Sequence, residues 1–209
     1  MKANAIQGTQ EWLQARCGKF TASRAADLMA RIKSGPAASR TNLIARLVAE
    51  RATATPVETY CNTAMERGIT LEAEARDAYC FETGAIVHEV GFITYDQLPN
   101  TGASPDGLIG EDGLLEIKCP MAQGKHLAAL QRDEHAKEYS WQLQHQLMVT
   151  QRQWVDIVSY DQRWPSHLQL VMRRIKRDEA LIDELMRAIR VADAEVEEIL
   201  HFLGKKEAA

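Results

Sequence analysis

Hydrophobic positions along this chain recur with two periods, and the switches between them outline its elements. At residues 114–118 the apolar run Leu114, Leu115, Ile117 is bounded by Glu111-Asp112-Gly113 on one side and Cys119-Pro120 on the other. A short apolar run between turn residues predicts a buried strand. Side chains alternate along a strand, so Glu116 and Lys118 share one face while Ile117 points to the other. An acid and a base therefore stand together where apolar neighbours are the rule. Buried charges are costly unless they are paired or bind a metal. Asp106, ten residues before Glu116 in the turn Pro105-Asp106-Gly107, brings a second carboxylate. Two carboxylates and a backbone carbonyl suit a hard cation such as Mg²⁺. Glu-x-Lys alone reads more readily as an ion pair on an exposed strand.

Helical spacing dominates the rest. Residues 9–16 predict a short helix capped by Thr9, with Trp12, Leu13 and Arg16 on its face. Thr21 or Ser23 is placed to cap a helix at 24–30, whose N-terminus would offer an anion site that Arg16 could join. A second helix is expected over 41–53. Residues 65–81 carry the stripe Met65, Ile69, Ala73, Ala75, Tyr79, and Glu72 falls on or beside it. Its partner is either Arg76, four residues on, or a metal-bound water. Residues 85–95 alternate as a strand with Gly91 as a possible bulge. Residues 126–131 and 139–150 read as helices, the second carrying Gln142, Gln144 and Gln146. Two strands, 154–160 and 167–172, are joined at 161–165. A long amphipathic helix over 176–203 closes the chain. This order predicts a mixed α/β fold with a central sheet, in a single domain over residues 1–209.

Composition narrows the class. With 45% hydrophobic and 26% charged residues among 209, the chain has enough apolar sequence for one substantial core. No apolar run approaches the ~20 residues needed to span a bilayer, and the start lacks a secretory h-region, so a cytoplasmic protein without membrane contact is expected. Cys17, Cys61, Cys80 and Cys119 form no C-x-x-C pair, which argues for reduced thiols and against structural zinc. Cys119 reads as small packing at a strand end. The net charge of −4 is unevenly spread: residues 1–56 carry +6 and residues 178–209 carry −5. A basic first quarter could track phosphates while an acidic tail helix stays in solvent.

Pro105-Asp106 followed by Glu116-x-Lys118 resembles the PD-(D/E)xK nuclease signature. The chain as a whole is similar to the phage lambda exonuclease, or YqaJ-type viral recombinase, family. The likeness is carried by Trp12-x3-Arg16, Thr21-Ala22-Ser23, Gly68-x3-Glu72-x2-Ala75-Arg76, Ser104-Pro105-Asp106-Gly107, residues 115–120 and Gln142-x-Gln144.

The resemblance implies a restriction-endonuclease-like mixed central sheet flanked by helices. It also implies a Mg²⁺-dependent exonuclease that digests one strand of duplex DNA from its 5′ end and leaves a 3′ tail. Two metal ions per site are implied, with Mn²⁺ an acceptable substitute. Asp106, Glu116 and the Ile117 carbonyl would bind metal, and Glu72 would complete the second metal's shell through water. Lys118 would orient or activate the attacking water, its pKa lowered by two adjacent cations, and Gln142 would help position that water. Arg16, Ser23 and Ser104 would hold the 5′-phosphate. The family places an Arg shortly after Lys-Cys-Pro; here the nearest base is Lys125, one position later. A homotrimeric ring around DNA and a single-strand annealing recombinase are the implied partners. The competing expectations are a sequence- or structure-specific endonuclease on the same core and a non-catalytic DNA-binding protein.

Overall fold

The structure, a computed structural model, describes residues 5–33, 35–57, 63–131 and 134–207. Cys61, counted above, lies outside them, as do the side chains of Met65 and Ile69. Helix α1 (Gln10–Arg16) is opened by Thr9, which accepts a hydrogen bond from the Trp12 amide. Strand β1 (Phe20–Thr21), a 3₁₀ turn (Ala22–Arg24) and helix α2 (Ala25–Met29) follow. Strands β2 (Arg31–Ile32) and β3 (Gly35–Pro36) pair with each other ahead of helices α3 (Ala38–Thr53) and α4 (Thr63–Thr83). Next come β4 (Val87–His88), β5 (Ile93–Tyr95), β6 (Leu98–Ala103), β7 (Gly107–Ile109) and β8 (Gly113–Lys118). Helices α5 (Gln123–Gln131), α6 (Glu134–Glu138) and α7 (Ser140–Thr150) lead to β9 (Trp154–Tyr160), β10 (Leu170–Lys176) and α8 (Glu179–Glu207).

Five strands form the central sheet in the order β10-β9-β8-β7-β4. β8 and β9 run parallel, and every other neighbouring pair is antiparallel. A parallel pair needs a long crossover, and α5, α6 and α7 supply it. β1-β6-β5 form a second, smaller sheet.

The two faces of β8 explain how the site is held. Leu115 and Ile117 pack with Ala75 and Tyr79 of α4, whereas Leu114 packs with Leu143 and Leu147 of α7. Glu116 and Lys118 share the Leu114 face and therefore look toward α7.

Several expectations shift. The single strand expected over 85–95 is two, β4 and β5, separated at Gly91. A Cβ at Gly91 would stand 2.1 Å from the Ala5 carbonyl oxygen, so the N-terminal segment crosses there; the register irregularity lies instead between Thr94 and Tyr95. The helix expected at 24–30 starts as a 3₁₀ turn without a side-chain cap. The last strand begins at Leu170, since His167 lies in a 3₁₀ turn, and extends to Lys176, which pairs with Trp154. Helix α8 starts later than expected because Asp178 accepts the Ala180 and Leu181 amides. Strand β6 and the short β1 had no periodic signal of their own.

The acidic tail helix is not left to solvent. Arg51 binds Asp193 and Glu197 at 2.7 Å each, and Arg40 binds Glu195 at 2.8 Å. Arg40 and Arg51 of the basic first quarter are thus paired with α8 rather than held ready for phosphate.

His145 of α7 is fully buried, and its Nε2 lies 2.8 Å from Thr101 Oγ1, which in turn donates to the Phe20 carbonyl. The Thr101 hydroxyl proton is therefore committed, and His145 Nε2 carries the N–H. Burial pushes the His145 pKa down to about 3 from 6.5. Between those values the unfolded chain binds a proton that the native chain does not, so stability falls as pH falls through that window. The slope is at most about 1.4 kcal/mol per pH unit. Chemical denaturation of wild type and His145→Gln at pH 6, 5 and 4 should show a shallower decline in the variant; parallel curves would contradict this.

Candidate active site

Six segments bring the groups expected from the sequence to one cavity of about 250 Å³. β8 supplies Glu116, the Ile117 main chain and Lys118; the loop before β7 supplies Ser104 and Asp106; α1 and the 3₁₀ turn supply Arg16 and Ser23. Glu72 of α4 and Gln142 of α7 line it too. The loop is fixed by the Asp106 amide, which donates to the Leu115 carbonyl at 3.0 Å, and by Asp106 Oδ2, which accepts from the Ile117 amide at 2.6 Å.

Glu116 is buried and held on both oxygens. Oε1 accepts from Lys118 Nζ at 2.7 Å and from Gln142 Nε2 at 2.5 Å, and Oε2 accepts from Gln146 Nε2 at 2.5 Å. Lys118 Nζ also lies 3.3 Å from Gln142 Oε1 and 4.5 Å from the centre of the Tyr139 ring. Burial alone would lower the Lys118 pKa, but Glu116 and Asp106 outweigh it and hold the ammonium above its ordinary value. The protein's own charges thus act opposite to the lowering expected from neighbouring cations. Glu72 bonds Arg76 at 2.7 Å, the helical partner expected from spacing. Burial first, then the charges of Glu116 and Glu72, push the Asp106 carboxyl well above the carboxylate range. Burial raises Glu72 as well, against the pull of Arg76.

This is an oxygen-rich site short of positive charge. Among the described residues no three His, Cys, Asp or Glu side chains close into a metal cage. The donors are two carboxylates joined by a short main-chain link, with a third across the cavity. That set fits a hard divalent cation that keeps several waters. Cys119 contributes no nucleophile: burial, then Glu72, push its thiol up to about 12. It packs beside the Leu115 and Ile117 face, as expected.

The other end of the cavity is built for an anion. Arg16 stacks on Trp12, 4.1 Å from the ring centre, and its guanidinium donates to Ser23 Oγ at 3.2 Å and Ser104 Oγ at 3.5 Å. Burial and then the nearby Arg46 and Arg24 lower the Arg16 pKa to about 10, which still leaves it charged at neutral pH. These two hydrogen bonds go to hydroxyls, which leaves the charge available to a ligand. Ser23 is occupied here rather than as a helix cap. Lys125 is elsewhere: it is exposed on α5, paired with Glu138 at 2.7 Å, and does not line the cavity.

Three residues join this site that spacing did not single out for it. Gln7 donates to the Pro105 and Val90 carbonyls, and Trp12 Nε1 donates to Ser104 Oγ at 2.9 Å. Gln146 is the third, and its signal was present: Gln142 and Gln146 are four apart on α7, so they share a face. Gln144 points away and bonds Lys176 and Asp178.

Residues 11–153 match the family model described as the YqaJ-like viral recombinase domain. The crystal structure of an alkaline exonuclease, LHK-Exo, from Laribacter hongkongensis is 45% identical, with 96% of this chain and 98% of that chain covered and a TM-score of 0.88. LHK-Exo in complex with dAMP matches at 45% identity over the same shares, with a TM-score of 0.89. A phage-related exonuclease from Haemophilus somnus 129PT is 13% identical over 88% of this chain and 96% of that chain, with a TM-score of 0.74, and shares the fold. No curated protein matches. The architecture is the expected restriction-endonuclease-like one. No helix among the described residues is long and apolar enough to cross a membrane.

Proposed function

This chain belongs to the YqaJ-like viral recombinase domain family and is a nuclease, and from that premise we propose that it is a 5′-to-3′ exonuclease of linear double-stranded DNA. It removes one strand with a divalent metal, Mg²⁺, and leaves a 3′ single-stranded tail for an annealing recombinase. The observation that carries this reading is one cavity with Arg16, Ser23 and Ser104 at one end and Asp106, Glu116 and Lys118 at the other. A terminal phosphate seated on Arg16 registers the next phosphodiester against the carboxylates, so hydrolysis starts at ends. The dAMP complex of LHK-Exo, a nucleotide with its phosphate, fits that picture.

Asp106, Glu116 and the Ile117 carbonyl would hold the metal, with Glu72 reaching it through water. When bound, the metal supplies a more acidic water and charge to offset that on the leaving oxygen. Lys118 Nζ holds a proton beside Glu116 and orients the attacking water. Gln142 ties Lys118 to Glu116 and keeps both in register. The proposal includes a homotrimeric ring around the duplex, supported by family membership.

The test compares linear duplexes with closed circles, in Mg²⁺ and in EDTA. Linear DNA should lose one strand only with Mg²⁺, and circles should stay intact. Cleavage of circles would establish an endonuclease instead, and DNA binding without any digestion would establish a non-catalytic protein.

A further inference from the structure

Gln146 is almost completely buried, at 1% exposure, and lines the same cavity as the carboxylates. Its Nε2 donates to Glu116 Oε2, and its Oε1 is buried with no hydrogen-bond partner among the described residues. The amide cannot simply be turned over to satisfy that oxygen, because Oε1 would then face the Glu116 carboxylate. A buried amide oxygen left unpaired is costly to the fold. The flanking positions Leu143 and Leu147 are apolar and fully buried, and the one side-chain partner of Gln146 among the described residues is the Glu116 carboxylate.

Gln142 and Gln146 stand one helical turn apart on α7 and grip opposite oxygens of one carboxylate. The grip fixes the rotation of the Glu116 carboxylate about its last torsion, which is broad in an unrestrained glutamate. Gln142 alone fixes one oxygen and leaves that rotation open. Donors behind a ligand are what orient it toward a metal.

We propose that Gln146 is a positioning residue of the metal site: through Nε2 it locks the rotation of the Glu116 carboxylate that would hold the metal. This rests on the metal-dependent reading above and assigns a function to a residue that reading does not use. Loss of the amide should weaken metal binding by roughly 10–100-fold. Gln146→Met keeps the length and removes both polar atoms; it relieves the unpaired oxygen but strips the donor from the buried Glu116 Oε2, so the metal-free melting temperature should fall modestly while the fold is kept. Gln146→Asn keeps the amide but is too short to reach, and serves as a second variant.

The experiment is calorimetric titration of Mn²⁺ into wild type, Gln146→Met, Gln146→Asn and Asp106→Asn in the absence of DNA, with thermal melting of each in EDTA. The expected result is weakened Mn²⁺ binding in both Gln146 variants, each of which still melts cooperatively in EDTA. Wild-type affinity in both Gln146 variants, with binding lost in Asp106→Asn, would overturn the proposal and leave the metal reading standing. A lower melting temperature with unchanged affinity would make Gln146 a purely structural residue. Absence of Mn²⁺ binding by wild type would overturn the metal reading and this inference together.

Discussion

Lys118→Ala is expected to slow the hydrolytic step by roughly 10²–10⁴-fold, the usual contribution of a positioned proton-transfer group. The loss should appear in single-turnover rates with enzyme in excess, while the affinity for phosphorylated ends changes little. The reason lies in where the ammonium sits: 2.7 Å from Glu116 Oε1 and beside Gln142, on the face that looks into the cavity. It touches none of Arg16, Ser23 and Ser104, which hold the DNA end in this account. The variant should remain folded, because Glu116 keeps the Gln142 and Gln146 donors. A Lys118→Ala enzyme with near-wild-type turnover would remove Lys118 from the chemistry.

Arg16→Ala is expected to have the second-largest effect, and of a different kind. A hydrogen bond to a charged group contributes about 1.5–3 kcal/mol, which corresponds to roughly 10–100-fold in kcat/KM. That loss should fall on substrates with a 5′-phosphate and be small on 5′-hydroxyl ends, since Arg16 meets only the terminal group. Wild type should therefore prefer phosphorylated ends and the variant should not. Equal losses on both kinds of end would mean that Arg16 supports the loop at Ser104 rather than the ligand. Trp12 matters to this test because the Arg16 guanidinium lies over its ring. A Lys at position 16 would keep the charge but lose the stack and the fork of donors to two hydroxyls.

The central stretch was legible because its signals are local. A tight turn at Asp106, strand alternation through Glu116 and Lys118, and a stop at Pro120 each depend on neighbours a few residues away. The same holds for α1, where Thr9 caps Trp12, and for the glutamine-bearing α7. What was missed depends on distant partners. β1 is only two residues long and exists through parallel pairing of Phe20 with Thr101, 81 positions on. The strand expected through Gly91 is broken by a crossing segment that no periodicity reports. Lys176 looked like the start of a helix, yet its pairing with Trp154 keeps it in the sheet.

Charge was the least legible feature. The basic first quarter suggested a phosphate track, but Arg40 and Arg51 are committed to α8. Of the four groups expected to meet phosphate, Arg16, Ser23 and Ser104 converge in the cavity and Lys125 does not. Counting charges along the chain could not separate them, because pairing is settled by packing. Gln146 shows the opposite case: its spacing from Gln142 was visible, and only its hydrogen bond to Glu116 Oε2 gives it meaning.

The claim at the centre of this account is that one cavity seats a 5′ end and cuts the strand that carries it. The direct measurement uses a linear duplex whose same strand carries one label at its 5′-terminal nucleotide and a different label at its 3′ end, digested with enzyme and Mg²⁺. The account predicts that the 5′ label is released first as a mononucleotide, while the 3′ label stays on a shortening strand and the complementary strand remains full length. Early release of the 3′ label, or discrete internal fragments before any terminal nucleotide, would contradict it.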